Sequence, residues 1–109
     1  MITLCNVASG DTESGYIHLG SDAGQMGIVG IVTPSALTST TMTLVAAIDG
    51  STDKAITDVY GVSQTITISA DKFIALDPAF YAGVPYIKIV TGSEEAGDRI
   101  FALIIREIT

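Results

Sequence analysis

Tryptophan is absent from this chain of 109 residues, and cysteine and histidine occur once each, as Cys5 and His18. A lone cysteine excludes an internal disulfide. Two soft ligands in all are too few for a structural zinc site. With His18 set in the plain run Tyr16-Ile17-His18-Leu19, nucleophile–base chemistry has nothing to build on. Charge is scarce as well: 16% of residues are charged, where about a quarter is usual. The five basic residues, Lys54, Lys72, Lys88, Arg99 and Arg106, are scattered and stand against twelve carboxylates, for a net charge of −7. Phosphate backbones and anionic bilayers are bound by clustered cations, so neither nucleic acid nor membrane is expected as a partner. No apolar run reaches the length of a membrane span, because Gly, Ser and Thr interrupt each one. The first apolar run stops at Asn6 with no basic residue before it, so no secretory signal is expected and the chain is expected in the cytoplasm where it is made.

What is present is β chemistry. Thr, Val and Ile are abundant, and eleven glycines punctuate the chain, the composition of short strands between tight turns. Alternation at period two places strands at Ile2–Ala8, Tyr16–Leu19, Gly27–Thr33, Thr41–Ile48, Lys54–Val59, Thr65–Ser69, Phe73–Leu76, Tyr86–Thr91 and Arg99–Ile108. Asp49-Gly50 and Tyr60-Gly61 supply turns. Asp77-Pro78, closed by Gly83, predicts at most one short helical turn near 78–82. The fold class expected is all-β: an antiparallel two-sheet β-sandwich of eight or nine short strands, one domain spanning 1–109. At this length a single core needs no metal or disulfide.

Two strands break the usual pattern. Gly27–Thr33 and Arg99–Ile108 are apolar at successive positions, hence on both faces, whereas a two-layer sandwich covers one face of each sheet. A second cover is required: a folded-over loop, closure into a barrel, or a neighbouring subunit. The low charge favours the subunit, so homo-oligomerisation is expected, with Val29, Ile31, Phe101, Leu103 and Ile105 as the interface residues. The glycine within Gly27–Thr33 predicts a bulge or a close backbone approach.

Candidate chemistry is sparse. Cys5, in the apolar run ITLCNVA, reads as a buried, inert thiol. Asp49, Asp53 and Asp58 gather near one turn and Glu94, Glu95 and Asp98 near another. Their spacing is not that of a calcium loop, and they read as solvated turn carboxylates. Gly24-Gln-Met-Gly27-Ile-Val-Gly30 lacks the lysine and following helix of a phosphate loop, leaving turn and bulge glycines. Tyr60, Phe80, Tyr81 and Tyr86 could stack on a sugar, but core and corner packing is the simpler role. No enzyme activity, cofactor or metal is expected.

Thr33-Pro34-Ser35-Ala36, Ala46-Ala47-Ile48-Asp49-Gly50, Phe73-Ile74-Ala75-Leu76-Asp77-Pro78, Gly83, Tyr86–Gly92 and Asp98-Arg99, in that succession, resemble a group of small virion proteins of tailed bacteriophages. The resemblance covers roughly residues 27–106. It departs from the group's pattern in a shorter acidic loop, Ser93–Gly97, and in having no tryptophan near Pro34–Ala36. It implies a jelly-roll-like sandwich and, within the group, a capsid decoration (cement) protein on the phage head surface. Such a protein would be a homotrimer partnered by the major capsid protein. The alternative it leaves open is a tail, baseplate or fibre-associated module binding a host glycan or another virion protein.

Overall fold

Branched residues alternating with small or polar ones give nine strands in the computed structural model, which describes residues 2–19, 26–47, 54–77, 81 and 84–107. They are β1 (Ile2–Val7), β2 (Ile17–His18), β3 (Met26–Val32), β4 (Thr41–Ala47), β5 (Lys54–Ala55), β6 (Thr65–Thr67), β7 (Phe73–Ala75), β8 (Tyr86–Thr91) and β9 (Arg99–Glu107). Every pairing is antiparallel. One sheet runs β1-β9-β3-β7; the other runs β2-β8-β4-β5, with β6 also paired to β4. We call these sheet A and sheet B. The all-β, two-sheet sandwich is as the alternation predicted.

The segment expected as a strand over Lys54–Val59 is shorter. β5 and β6 lie along the same edge of β4, β5 opposite Val45 and Ala46 and β6 opposite Thr41 to Thr43. They are two halves of one strand, interrupted where residues 56–64 leave the sheet and return. Counted as one, they reduce the strands to eight, and the sheets read first-eighth-third-sixth and second-seventh-fourth-fifth. That is the connectivity of a jelly roll. Of the helical turn expected near 78–82 only Tyr81 is among the described residues, and the Asp49-Gly50 turn lies outside them.

β3 and β9 are neighbours at the centre of sheet A. Their register slips between Ile28 and Gly30: Ile28 pairs with Ile105, and Gly30 with Ile104. Val29 is therefore the extra residue of a β-bulge. The bulge turns both Ile28 and Ile31 inward although they are three positions apart, an odd spacing that a regular strand would send to opposite faces. Beside them Phe101, Leu103 and Ile105 point the same way. With Cys5 and Val7 they meet Met42, Leu44, Ile66, Ile87 and Ile89 from sheet B. Each such large apolar side chain contributes about 1.5–3 kcal/mol when fully buried.

This corrects the expected interface. Ile31, Phe101, Leu103 and Ile105 have no exposed surface, because they form the floor of the monomer's own core. They cannot meet a second chain without opening this one. Val29 alone of the five is half-buried. On β9 it is the other set, Ile100, Ala102 and Ile104, that faces outward.

Truncation on the two faces of β9 should therefore differ. Leu103→Ala is expected to lower the unfolding free energy by about 2–5 kcal/mol. Ile100→Ala, at a half-exposed site, should lower it by less than about 1 kcal/mol when the chain is dilute. Chemical denaturation of the two variants measures both, and equal losses would contradict the assigned faces.

Candidate functional site

Period-two geometry assembles the outer face of sheet A from four strands. Opposite partners lie on the same face, so the pairings Ile2–Ile104–Gly30–Ala75 and Leu4–Ala102–Val32–Phe73 form two cross-sheet rows. Ile100, paired with Asn6, begins a third. Every member of the first two rows is apolar. The exposed members are large: Ile2 66%, Leu4 67%, Phe73 62% and Ile100 54%. The first charge along this side of β9 is Arg106, beyond Ile104.

Gly30 permits the arrangement. A Cβ there would stand 2.7 Å from the Phe73 ring, so the absence of a side chain lets the ring lie across the sheet. The glycine thus serves both purposes expected of it, next to a bulge and under a close contact. With a full large side chain taken at roughly 200 Å², the four residues above present about 500 Å² of apolar surface. The largest apolar patch of a monomeric protein is commonly about this size and is often functional.

Sheet B is finished differently. Its outer side carries Thr41, Thr43, Thr65 and Thr67, and over β8 the chain itself covers it. Lys88 Nζ lies 2.5 Å from Glu13 Oε1 and 5.0 Å from the centre of the Tyr16 ring. Tyr86 stacks on His18 at 4.4 Å and meets Tyr16 edge-on at 6.3 Å. One outer face is polar and covered, and the other is apolar and open.

The chemically capable residues are dispersed. Cys5 is buried beside Val7 on the inner side of β1, and burial pushes its thiol up to about 12. His18 stands exposed on β2, on the far side of the sandwich from Cys5. Tyr81 is buried in the core, Tyr86 is taken up by its ring partners, and Tyr60 is exposed on residues 56–64. These three do not form one stacking platform. Among the described residues no three His, Cys, Asp or Glu side chains gather where they could hold a metal ion.

The reading of the last acidic loop as solvated carboxylates needs correction. Glu94 and Asp98 are exposed, but Glu95 is 1% exposed. Its Oε1 accepts from the Thr38 backbone N–H at 2.9 Å and from Arg99 Nε at 3.0 Å. Its Oε2 accepts from the Ser39 N–H at 2.9 Å and from the Ser39 hydroxyl. Its backbone bridges to the first loop: Gly10 N–H donates to Glu95 O at 2.8 Å, and Glu95 N–H donates to Asp11 O at 3.1 Å. One residue, through its carboxylate and its backbone, thus ties three loops together at one end of the sandwich. Burial alone would raise its pKa, but the Ser39 hydroxyl, the Thr38 N–H, the Arg99 guanidinium and the Ser39 N–H outweigh that and hold it below the ordinary carboxylate value. No sequence motif announces this role. The only local hint is Arg99 four residues on.

No protein family model matches the chain, and no curated protein is similar to it in sequence. In three dimensions it is similar to the crystal structure of SPBc2 prophage-derived protein YomS, with a TM-score of 0.55 and 11% sequence identity over 97% of this chain and 96% of that one. The likeness is one of fold across the whole domain.

Glu95 makes stability depend on pH in a defined direction. A carboxylate whose folded pKa lies below its unfolded value of about 4.5 contributes fully above that pH. Its contribution is lost as pH falls through the lower, folded value. Thermal melts should therefore show a loss of stability beginning below about 4.5 that is reduced in Glu95→Gln. Glu95→Ala, which leaves Arg99 and two backbone donors without their acceptor, is expected to lose about 3 kcal/mol at neutral pH. An unaltered acid profile in Glu95→Gln would show that other carboxylates govern it.

Proposed function

We propose that this chain is a non-enzymatic structural protein of a phage particle, a capsid decoration protein that binds and stabilises the head shell. The observation that carries the reading is the apolar outer face of sheet A. It suits a molecule packed among other proteins and offers no site for chemistry. The jelly roll shared with a prophage-derived protein supports a phage setting. So does the resemblance of the strand and turn residues to small phage virion proteins. The partners in this reading are further copies of the chain, in a trimer, and the major capsid protein.

Stabilisation would work by mass action. A protein that binds the assembled lattice and not its free subunits shifts the disassembly equilibrium toward the shell. The net charge of −7 keeps such a protein from adhering to packaged DNA.

Purified particles provide the test. The chain should be present in many copies, on the head surface, and heads lacking it should rupture at lower temperature until purified protein is added back. Roughly six copies or fewer per particle, the stoichiometry of a single symmetric ring at the tail, would replace this reading with a tail or baseplate component.

A further inference from the structure

The interruption between β5 and β6 is an addition that the jelly roll does not need. Residues 56–64 leave the edge of sheet B as a small hairpin, closed by an antiparallel bridge between Thr57 and Ser63. Its tip is built rigidly. Asp58 Oδ1 accepts from the Tyr60 N–H at 2.8 Å and from the Val62 N–H at 3.0 Å. Asp58 N–H donates to Val62 O at 3.0 Å, and Gly61 N–H donates to Asp58 O at 3.1 Å. Gly61, at φ +80°, takes the left-handed conformation that closes such a turn. These bonds fix the backbone, and what it holds out is apolar: Val59 is 93% exposed, Tyr60 88% and Val62 58%.

A turn tip in water is ordinarily polar. A rigid apolar one has lost little freedom still to lose on binding, and tyrosine is among the residues that dominate interface energies. The described residues thus carry two open apolar features. One is a convex tip at the edge of sheet B, and the other is the broad outer face of sheet A. With full side chains at roughly 150 Å² for valine and 200 Å² for tyrosine, the exposures give the tip about 400 Å², beside about 500 Å² for the face. Together they approach the roughly 1,000 Å² that a specific contact needs. The two rows of the face carry no carboxylate, and that of Asp58 at the tip is turned back onto the Tyr60 and Val62 N–H groups, which limits the repulsion between two chains each of net charge −7. Pairing two sheet A faces would leave Val59 and Tyr60 in water, whereas tip on face covers both features.

We propose that the Val59–Val62 tip of one copy seats on the outer face of sheet A of the next, joining copies head to tail into a closed ring. Each copy then gives one tip and receives one, so the contact repeats around the ring until none is left open. The inference concerns how copies join. It stands or falls on purified protein, apart from whether the particle they enter is a phage head.

Two variants and their mixture test it. Tyr60→Ser with Val59→Ser removes the tip, and Leu4→Glu spoils the face. All three positions are exposed, and circular dichroism should show both variants folded. Light scattering and sedimentation should find the unaltered chain at a discrete small multiple of its 11.3 kDa mass and each variant monomeric. The equimolar mixture should give one species of two chains, since only one intact tip can meet one intact face. The proposal is overturned if the unaltered chain is monomeric up to its solubility limit, or if it forms an open ladder of sizes. It is equally overturned if only one of the two variants dissociates the oligomer, as face-to-face pairing would require, or if the mixture stays monomeric.

Discussion

The pairing of β3 with β9 is the constraint on which the rest of the structure depends. Both strands are apolar at nearly every position, and their register decides which half of that apolar material becomes core. The bulge at Val29 settles the matter for β3 by sending both Ile28 and Ile31 inward. The Ile28–Ile105 and Ile31–Leu103 pairs then floor the sandwich. What is left for the outside at Gly30 and Val32 of β3, and from Ile100 to Ile104 of β9, carries no charge, and the first cation on that side is Arg106. An apolar outer face is thus the residue of a well-filled core. The flanking edge strands do not relieve it, because their outward side chains at Ile2, Leu4 and Phe73 are apolar too.

Most of the described carboxylates stand on the loops, and one of them is enclosed. Glu95 is the exception among the acids because its four hydrogen bonds replace the water it gives up, the condition under which a buried carboxylate is tolerated. Its partners lie on the segment before β4, at the start of β9 and, through its backbone, on the loop after β1. One group therefore holds together pieces distant in sequence. The opposite solution is seen at Lys88, where a cation on the outer side of sheet B is roofed by Glu13 and the Tyr16 ring. Sheet B is completed by its own chain in a way that sheet A is not.

The excursion at residues 56–64 shows how a fold can carry an added part without being disturbed by it. β4 keeps its partners on both sides of the gap, so the jelly roll closes as if the strand were whole. The added turn draws its stability locally, from Asp58 and Gly61. Its apolar tip contributes nothing to the core, which separates its role from folding.

Much of the fold was legible in the sequence. Period two, glycine spacing and β-branched residues were enough for the strands and for two antiparallel sheets, because side-chain direction in a strand follows from local geometry alone. That β3 and β9 were too apolar for a single covered face was also visible. Which set of each faced inward was not. Phe101, Leu103 and Ile105 were assigned to an interface, whereas Ile100, Ala102 and Ile104 hold the outer side. Charges end both sets, Arg99 and Glu107 the one and Arg106 the other, so the sequence of the strand by itself did not decide between them. The glycine of β3 announced a bulge, but the enclosure of Glu95 and the merging of β5 with β6 into one interrupted strand arise from contacts between residues far apart in the chain. Local pattern determines what each strand can offer to either side. Only the packing of one sheet on the other decides which side is taken and which is left open.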